Sequence, residues 1–68
     1  MAYKNAKVTP AHVRLVVRKC WRMWEAIDPT DEGIGWAKAV HNYHDQRELA
    51  ERAIAALPEE QRKEFVLP

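Results

Sequence analysis

Residues 8–29, VTPAHVRLVVRKCWRMWEAIDP, contain the start, the apolar face and the end of one amphipathic helix. Thr9 is a favourable N-cap, and Pro10 suits the first helical position because its missing N–H needs no partner there. Pro29 disfavours helical backbone at the residue before it. The stretch therefore predicts a first helix over about 10–27.

The apolar side chains of this first helix recur at helical spacing, without the strict alternation that is typical of a strand. At about 100° per residue they form one broad face, which we expect to be the core. Its members are Val13, Val16, Val17, Cys20, Met23, Trp24 and Ile27. We expect the Cys20 thiol to be buried and inert, while Arg14, Arg18 and Arg22 lie on the opposite side of the helix.

A second helix is predicted over about 31–57, where strong helix formers run without a breaker until Pro58. Its start is open between Thr30 and Gly35, because acidic residues favour an early first turn and two glycines weaken it. A short third helix is predicted over 58–66, with proline at its first position and acids in its first turn. With no strand pattern anywhere, the predicted fold class is all-α.

We expect residues 1–68 to form a single domain, an antiparallel hairpin of the two long helices with the short C-terminal helix against it. Trp24 and Trp36 should meet beside the connecting loop. At the other end, the side chains expected to cover the second helix are Tyr3, Phe65, Val66 and Leu67. A chain of this length buries only about 60% of its unfolded surface, so we expect the hairpin to associate as a helical homodimer.

The charges are divided unevenly along the chain. Residues 1–27 carry six basic side chains and one acid, whereas residues 28–68 carry five basic side chains and nine acids. This asymmetry indicates an anionic partner, docking of the basic half on the acidic half, or head-to-tail pairing of two subunits. A single cysteine and the lack of a long apolar run predict a cytoplasmic protein that does not associate with a membrane.

The one cluster that resembles a chemical site is HNYHDQRE, residues 41–48. His41, His44 and Glu48 fall on one helical face and are weak candidates for metal ligands. One straight helix usually offers two ligands where zinc needs three or four. We therefore expect no metal and no cofactor, but a solvated face with a contact between His44 and Glu48. The chain contains no serine and no glycine-rich phosphate loop, so we expect no enzyme.

Apolar residues break the charged sides of both helices, namely Leu15, Ala26, Ile34 and Leu49. Such residues predict a second contact surface, with Trp21 as its aromatic anchor. We predict a non-enzymatic protein-protein interaction module, a small regulator or inhibitor that binds the acidic surface of a larger protein. Compact chains of this kind are typical of phage-encoded or accessory regulators. The predicted contact residues are Leu15, Trp21, Arg14, Arg18 and Arg22.

The alternative function is a nucleic-acid-binding helical module that uses the same basic face. Arginines one turn apart on a helix can follow a row of phosphates, and Lys4 and Lys7 would add a basic arm in front of them. The face lacks the amide and hydroxyl side chains that usually read bases. The sequence leaves open whether this face meets protein, nucleic acid or only solvent.

Overall fold

A computed structural model describes residues 8–31 and 33–68 of the chain. The described part contains three helices, α1 (Pro10–Ala26), α2 (Ile34–Ala55) and α3 (Glu59–Arg62), and no β-strand. The two long helices pack against each other, which confirms the predicted all-α fold with a short third helix. Tyr3, Lys4 and Lys7, which the sequence placed in the N-terminal arm, lie outside the described residues.

Both ends of α1 follow from its own sequence. The hydroxyl oxygen of Thr9 accepts a hydrogen bond from the N–H of His12 at 3.2 Å, and Pro10 occupies the first turn. The helix ends at its C-cap Ile27, whose backbone is extended, two residues before Pro29. The predicted bounds of the first helix are confirmed to within one residue.

The loop between α1 and α2 shows that the predicted acidic first turn of α2 is wrong. One carboxylate oxygen of Asp28 accepts hydrogen bonds from the N–H of Thr30 at 2.9 Å and from its hydroxyl at 2.7 Å, which holds Thr30 in a loop turn. Gly33 follows at φ 106° and ψ −151°, a conformation open essentially to glycine alone. Helix α2 therefore begins at Ile34, within the predicted range from Thr30 to Gly35 but three residues after the predicted bound of about 31. Glu32 lies outside the described residues.

The core between α1 and α2 is small. Its buried apolar members are Val13, Val17, Cys20, Tyr43, Ala50 and Leu57. The predicted burial of Cys20 is confirmed, and this burial raises the pKa of its thiol. Gln46 is buried as well, and its amide nitrogen donates to the carbonyl of Val16 at 3.2 Å, which satisfies the polar atom and links the two helices.

More bulky apolar side chains of the described residues are exposed than are buried. The exposed set consists of Leu15, Trp21, Trp24, Ile34, Trp36, Leu49 and Val66. Trp24, which the sequence assigned to the core, packs on the ring of Tyr43 at 5.1 Å between centroids but remains 49% exposed. The smallest principal extent of the molecule is 14 Å, close to the width of one helix with its side chains. The hairpin is thus one layer thick.

The predicted third helix over 58–66 is wrong in length, because α3 ends at Arg62. The guanidinium group of Arg62 turns back to donate to the carbonyls of Leu57 at 2.8 Å and Ala55 at 3.0 Å. It thereby satisfies carbonyls that the end of α2 leaves without a helical partner.

We call residues 64–68, which follow α3, the tail. The tail is not helical because its carbonyls bond to side chains of α1 and α2 and its apolar residues pack on the core. Phe65 and Leu67 contact the buried core, as predicted, whereas Val66 points outward and is exposed.

Candidate protein-binding surfaces

The structure divides the five predicted contact residues between two surfaces. The first, called here the α1 outer surface, is formed by Leu15, Arg18, Lys19, Arg22, Met23 and Ala26. The second, called here the tail groove, is the channel between α1 and α2 in which the tail lies; the side chains that form it are Arg14, Val17, Trp21, Tyr43, Arg47 and Ile54. Leu15 and Arg22 belong to the first surface and Trp21 and Arg14 to the second, while Arg18 lies on the border between them.

The α1 outer surface combines an apolar floor with a cationic margin. Its side chains border a shallow, open groove of about 540 Å³ on one face of α1, and Leu15 is 63% exposed there. Arg18 and Arg22 lie one helical turn apart, with Lys19 beside them. Across residues 8–31 and 33–68, none of these three cations has a carboxylate oxygen within 4.0 Å. The positive charge of this surface is therefore not neutralised by the described part of the chain.

Trp21 binds the tail. Its indole N–H donates to the carbonyl of Val66 at 2.8 Å, and the side chain is 37% exposed. Arg14 lies on the same flank of α1 and approaches the carboxylate of Glu64 at 3.7 Å. These two predicted contact residues thus hold a segment of their own chain, which the spacing of residues along α1 did not indicate.

Two further residues of the tail groove were missed by the sequence analysis. The hydroxyl of Tyr43 and the Nε of Arg47 both donate to the main-chain oxygen of Pro68, at 3.0 and 3.3 Å. Arg47 also forms an ion pair with Glu51 one turn along α2. The available signal was the position of Arg47, which interrupts the apolar side of α2, because a charged residue in such a place needs a polar partner.

An aromatic cleft lies at the loop end of the hairpin. Trp24 and Trp36 both lie beside the loop, as predicted, and with Glu25, Ile27 and Pro29 they line a cleft of about 350 Å³. Both indole rings remain partly exposed. This cleft is the exposed edge of the core beside the loop.

The histidine face of α2 is a solvated, ion-paired surface. His41 Nε2 lies 3.4 Å from a carboxylate oxygen of Asp45, and Glu48 pairs with Arg52 at 2.9 Å. The predicted contact between His44 and Glu48 is therefore wrong, since the permanently charged guanidinium one turn further along holds the carboxylate. In the described residues no three His, Cys, Asp or Glu side chains come together in a way that could hold a metal ion.

Comparisons with known proteins do not place the chain in a family. No protein-family model, no curated protein and no solved structure matches it. Among the described helices, none combines the length and the apolar character needed to cross a bilayer. The function has to be inferred from the surfaces of the chain itself.

Proposed function

We propose that this chain is a non-enzymatic protein-binding module, a small regulator or inhibitor that docks on a larger protein through the α1 outer surface. The observation that supports this is the exposure of Leu15 in a groove bordered by Arg18, Lys19 and Arg22. Binding energy at protein interfaces is concentrated in a few side chains at the centre of the contact, and arginine is enriched among them. Arg18 and Arg22 are of this kind, and Leu15 adds apolar contact area between them.

The chemistry of the surface defines the partner. Guanidinium groups bind carboxylates through paired hydrogen bonds, so Arg18 and Arg22 favour acidic side chains about one helical turn apart. An apolar side chain between those acids would fill the groove over Leu15. The proposed partner therefore presents an apolar residue within an acidic rim, and the charges would speed and orient the encounter.

We also propose that two copies of the chain associate as a helical dimer in the cytoplasm. The single-layer hairpin and the excess of exposed bulky side chains support this, because a second copy would bury apolar surface that one chain leaves in water. Ile34, exposed on α2, is available for this contact separately from Leu15. The single, buried cysteine is consistent with a reducing compartment.

Nucleic-acid binding is the second proposed function, supported by the same unneutralised cations. Arg18, Lys19 and Arg22 lie within about one turn of each other on the exposed side of α1 and could neutralise phosphates. Binding of this kind weakens steeply as salt concentration rises, because phosphate contacts release counterions. It does not require Leu15, and this difference separates the two proposals.

The test compares Leu15→Glu with the matched control Leu49→Glu, an equally drastic change at a position that is 55% exposed on α2. Both variants should keep the helical circular dichroism spectrum, since neither side chain is buried. The wild-type protein and the Leu49→Glu variant should capture the same partner from the native cell, and Leu15→Glu should lose it. Retention of the partner by Leu15→Glu would exclude the α1 outer surface as the contact.

The double variant Arg18→Glu/Arg22→Glu tests the nucleic-acid proposal. If phosphate contacts carry function, the wild-type protein and Leu15→Glu will retard DNA or RNA at low salt and the double variant will not. Equal retardation by the double variant, or none by the wild-type protein, excludes nucleic acid. Light scattering of the same samples gives the molar mass and so tests the dimer.

A further inference from the structure

We infer that the tail groove is a peptide-binding groove, that the tail is its resident ligand, and that its occupant in a complex is an extended segment of a partner protein. This segment has the chemistry of the tail, an acidic residue followed by apolar residues at alternate positions. The inference goes beyond the proposed function, because the tail groove and the α1 outer surface share only the border residue Arg18.

Side-chain donors from both long helices converge on the main chain of the tail. The indole N–H of Trp21 donates to the carbonyl of Val66, and the side chains of Tyr43 and Arg47 donate to the main-chain oxygen of Pro68. Grooves that bind extended peptides commonly obtain affinity from main-chain hydrogen bonds and specificity from alternate side chains. Donors directed at carbonyls two residues apart accept any sequence whose side chains fit between them.

The side chains of the tail supply that specificity. Phe65 and Leu67 face the core, Val66 between them faces solvent, and Glu64 lies beside Arg14. This alternation is the pattern of an extended segment with one face against a surface. The groove therefore selects a carboxylate followed by apolar residues at the next position and two positions further on.

The tail does not fill the channel. An open cleft of about 520 Å³ lies along its α1 side, lined by residues that include Arg14, Val17 and Trp21. Another cleft of about 390 Å³ lies along its α2 side, lined by residues that include Arg47 and Ile54. A partner segment with larger side chains or more residues would contact surface that the tail leaves open. These extra contacts would let it bind the groove more tightly than the tail does.

The tail competes with such a segment because it is tethered to the hairpin. A short tether gives a local concentration in the millimolar range. If the tail occupies the groove about nine-tenths of the time, it raises the apparent Kd of a competing peptide about tenfold. Weakening the tail alone should therefore strengthen binding in trans, because a competing peptide replaces the tail and does not contact it.

The experiment uses the full chain and a synthetic peptide with the sequence of residues 63–68, KEFVLP, capped at both ends. The control peptide has the reversed order PLVFEK, which keeps the composition and places the apolar residues before the acid instead of after it. Binding is followed by fluorescence anisotropy, with a fluorophore as the N-terminal cap of the peptide, so that every variant is measured in the same way. The tail is weakened by Phe65→Ala/Leu67→Ala.

We expect KEFVLP to bind the weakened variant about tenfold more tightly than it binds the wild-type chain. The control peptide should bind neither protein measurably, and Trp21→Phe should lower the affinity for KEFVLP. If the double variant does not fold, Glu64→Arg, a change at an exposed position, loosens the tail by repelling Arg14 and should shift affinity in the same direction.

Equal affinity of folded wild-type and weakened chains for KEFVLP, or equal binding of both peptides, would overturn the inference. A wild-type dimer that KEFVLP dissociates into monomers would also overturn it, by assigning the groove to the tail of a second copy. The Leu15→Glu variant should bind KEFVLP like the wild-type chain. Failure of the proposed function at Leu15 is thereby distinguished from failure of the peptide groove.

Discussion

Two leucine-to-alanine substitutions, Leu57→Ala and Leu15→Ala, should differ in cost because one leucine is 1% exposed and the other 63% exposed. Loss of the buried Leu57 side chain removes its transfer free energy and leaves a cavity, for a cost of about 2–5 kcal/mol. Leu15 has about a third of its surface buried and leaves no cavity, so its cost is below about 1 kcal/mol. The total stability of a chain of this size is only about 3–10 kcal/mol, so the first change removes a large part of it.

Urea unfolding followed by circular dichroism measures both costs, at protein concentrations about a hundredfold apart. Leu57→Ala should lower the unfolding midpoint at both concentrations. Leu15→Ala should lower the midpoint by much less at the lower concentration, where any dimer dissociates. A loss for Leu15→Ala at low concentration as large as that for Leu57→Ala would refute the assignment of Leu15 to an open surface. A loss confined to the higher concentration would place Leu15 in the dimer contact.

Three further predictions concern titration and metal binding. Burial raises the pKa of the Cys20 thiol above its ordinary value of 9.0. Above about pH 9 the thiol ionises only in the unfolded state, so the free energy of unfolding should fall as pH rises. Urea unfolding of Cys20→Ala should not show this fall. The side-chain and backbone hydrogen bonds from Thr30 lower the pKa of Asp28 below 3.8. The ionised Asp28 should therefore stabilise the fold above that pH, and this stabilisation should be lost as pH falls through the lowered pKa. The urea unfolding midpoints of Asp28→Ala and the wild-type chain should converge in acid. Added zinc should leave the melting temperature unchanged, and a rise that His41→Ala removes would contradict the ion-paired assignment of that face.

The parts of the fold that local chemistry determines could be predicted from the sequence. Thr9, Pro10 and Pro29 determine the bounds of α1 through capping and proline sterics, which act within a few residues. The start of α2 was predicted only as a range, from Thr30 to Gly35, because the hydrogen bonds between Asp28 and Thr30 compete with a helical turn for the same groups. Propensity alone does not show which of these two arrangements wins.

The packing of Phe65 and Leu67 on the core was predicted, but the non-helical backbone of the tail was missed, for a different reason. Its sequence favours a short helix locally, but Phe65 and Leu67 gain more by packing on a core that α1 and α2 form together. Helical spacing also could not separate Leu15 from Trp21 as sites, because both lie outside the centre of the apolar face. Only the path of the tail, which reaches Trp21 and not Leu15, divides them into two surfaces.

Gly33 makes the loop sensitive to chirality. The mirror image of its backbone angles falls in the broad extended region that ordinary L-residues prefer, so a D-residue adopts the native angles without strain. An L-alanine at this position has open space for its methyl group and is still disfavoured by the backbone. A chain of this length is accessible to chemical synthesis, and D-alanine at position 33 should stabilise it by about 0.4–1 kcal/mol by restricting the unfolded state. The same methyl group in the opposite configuration would weaken the hairpin.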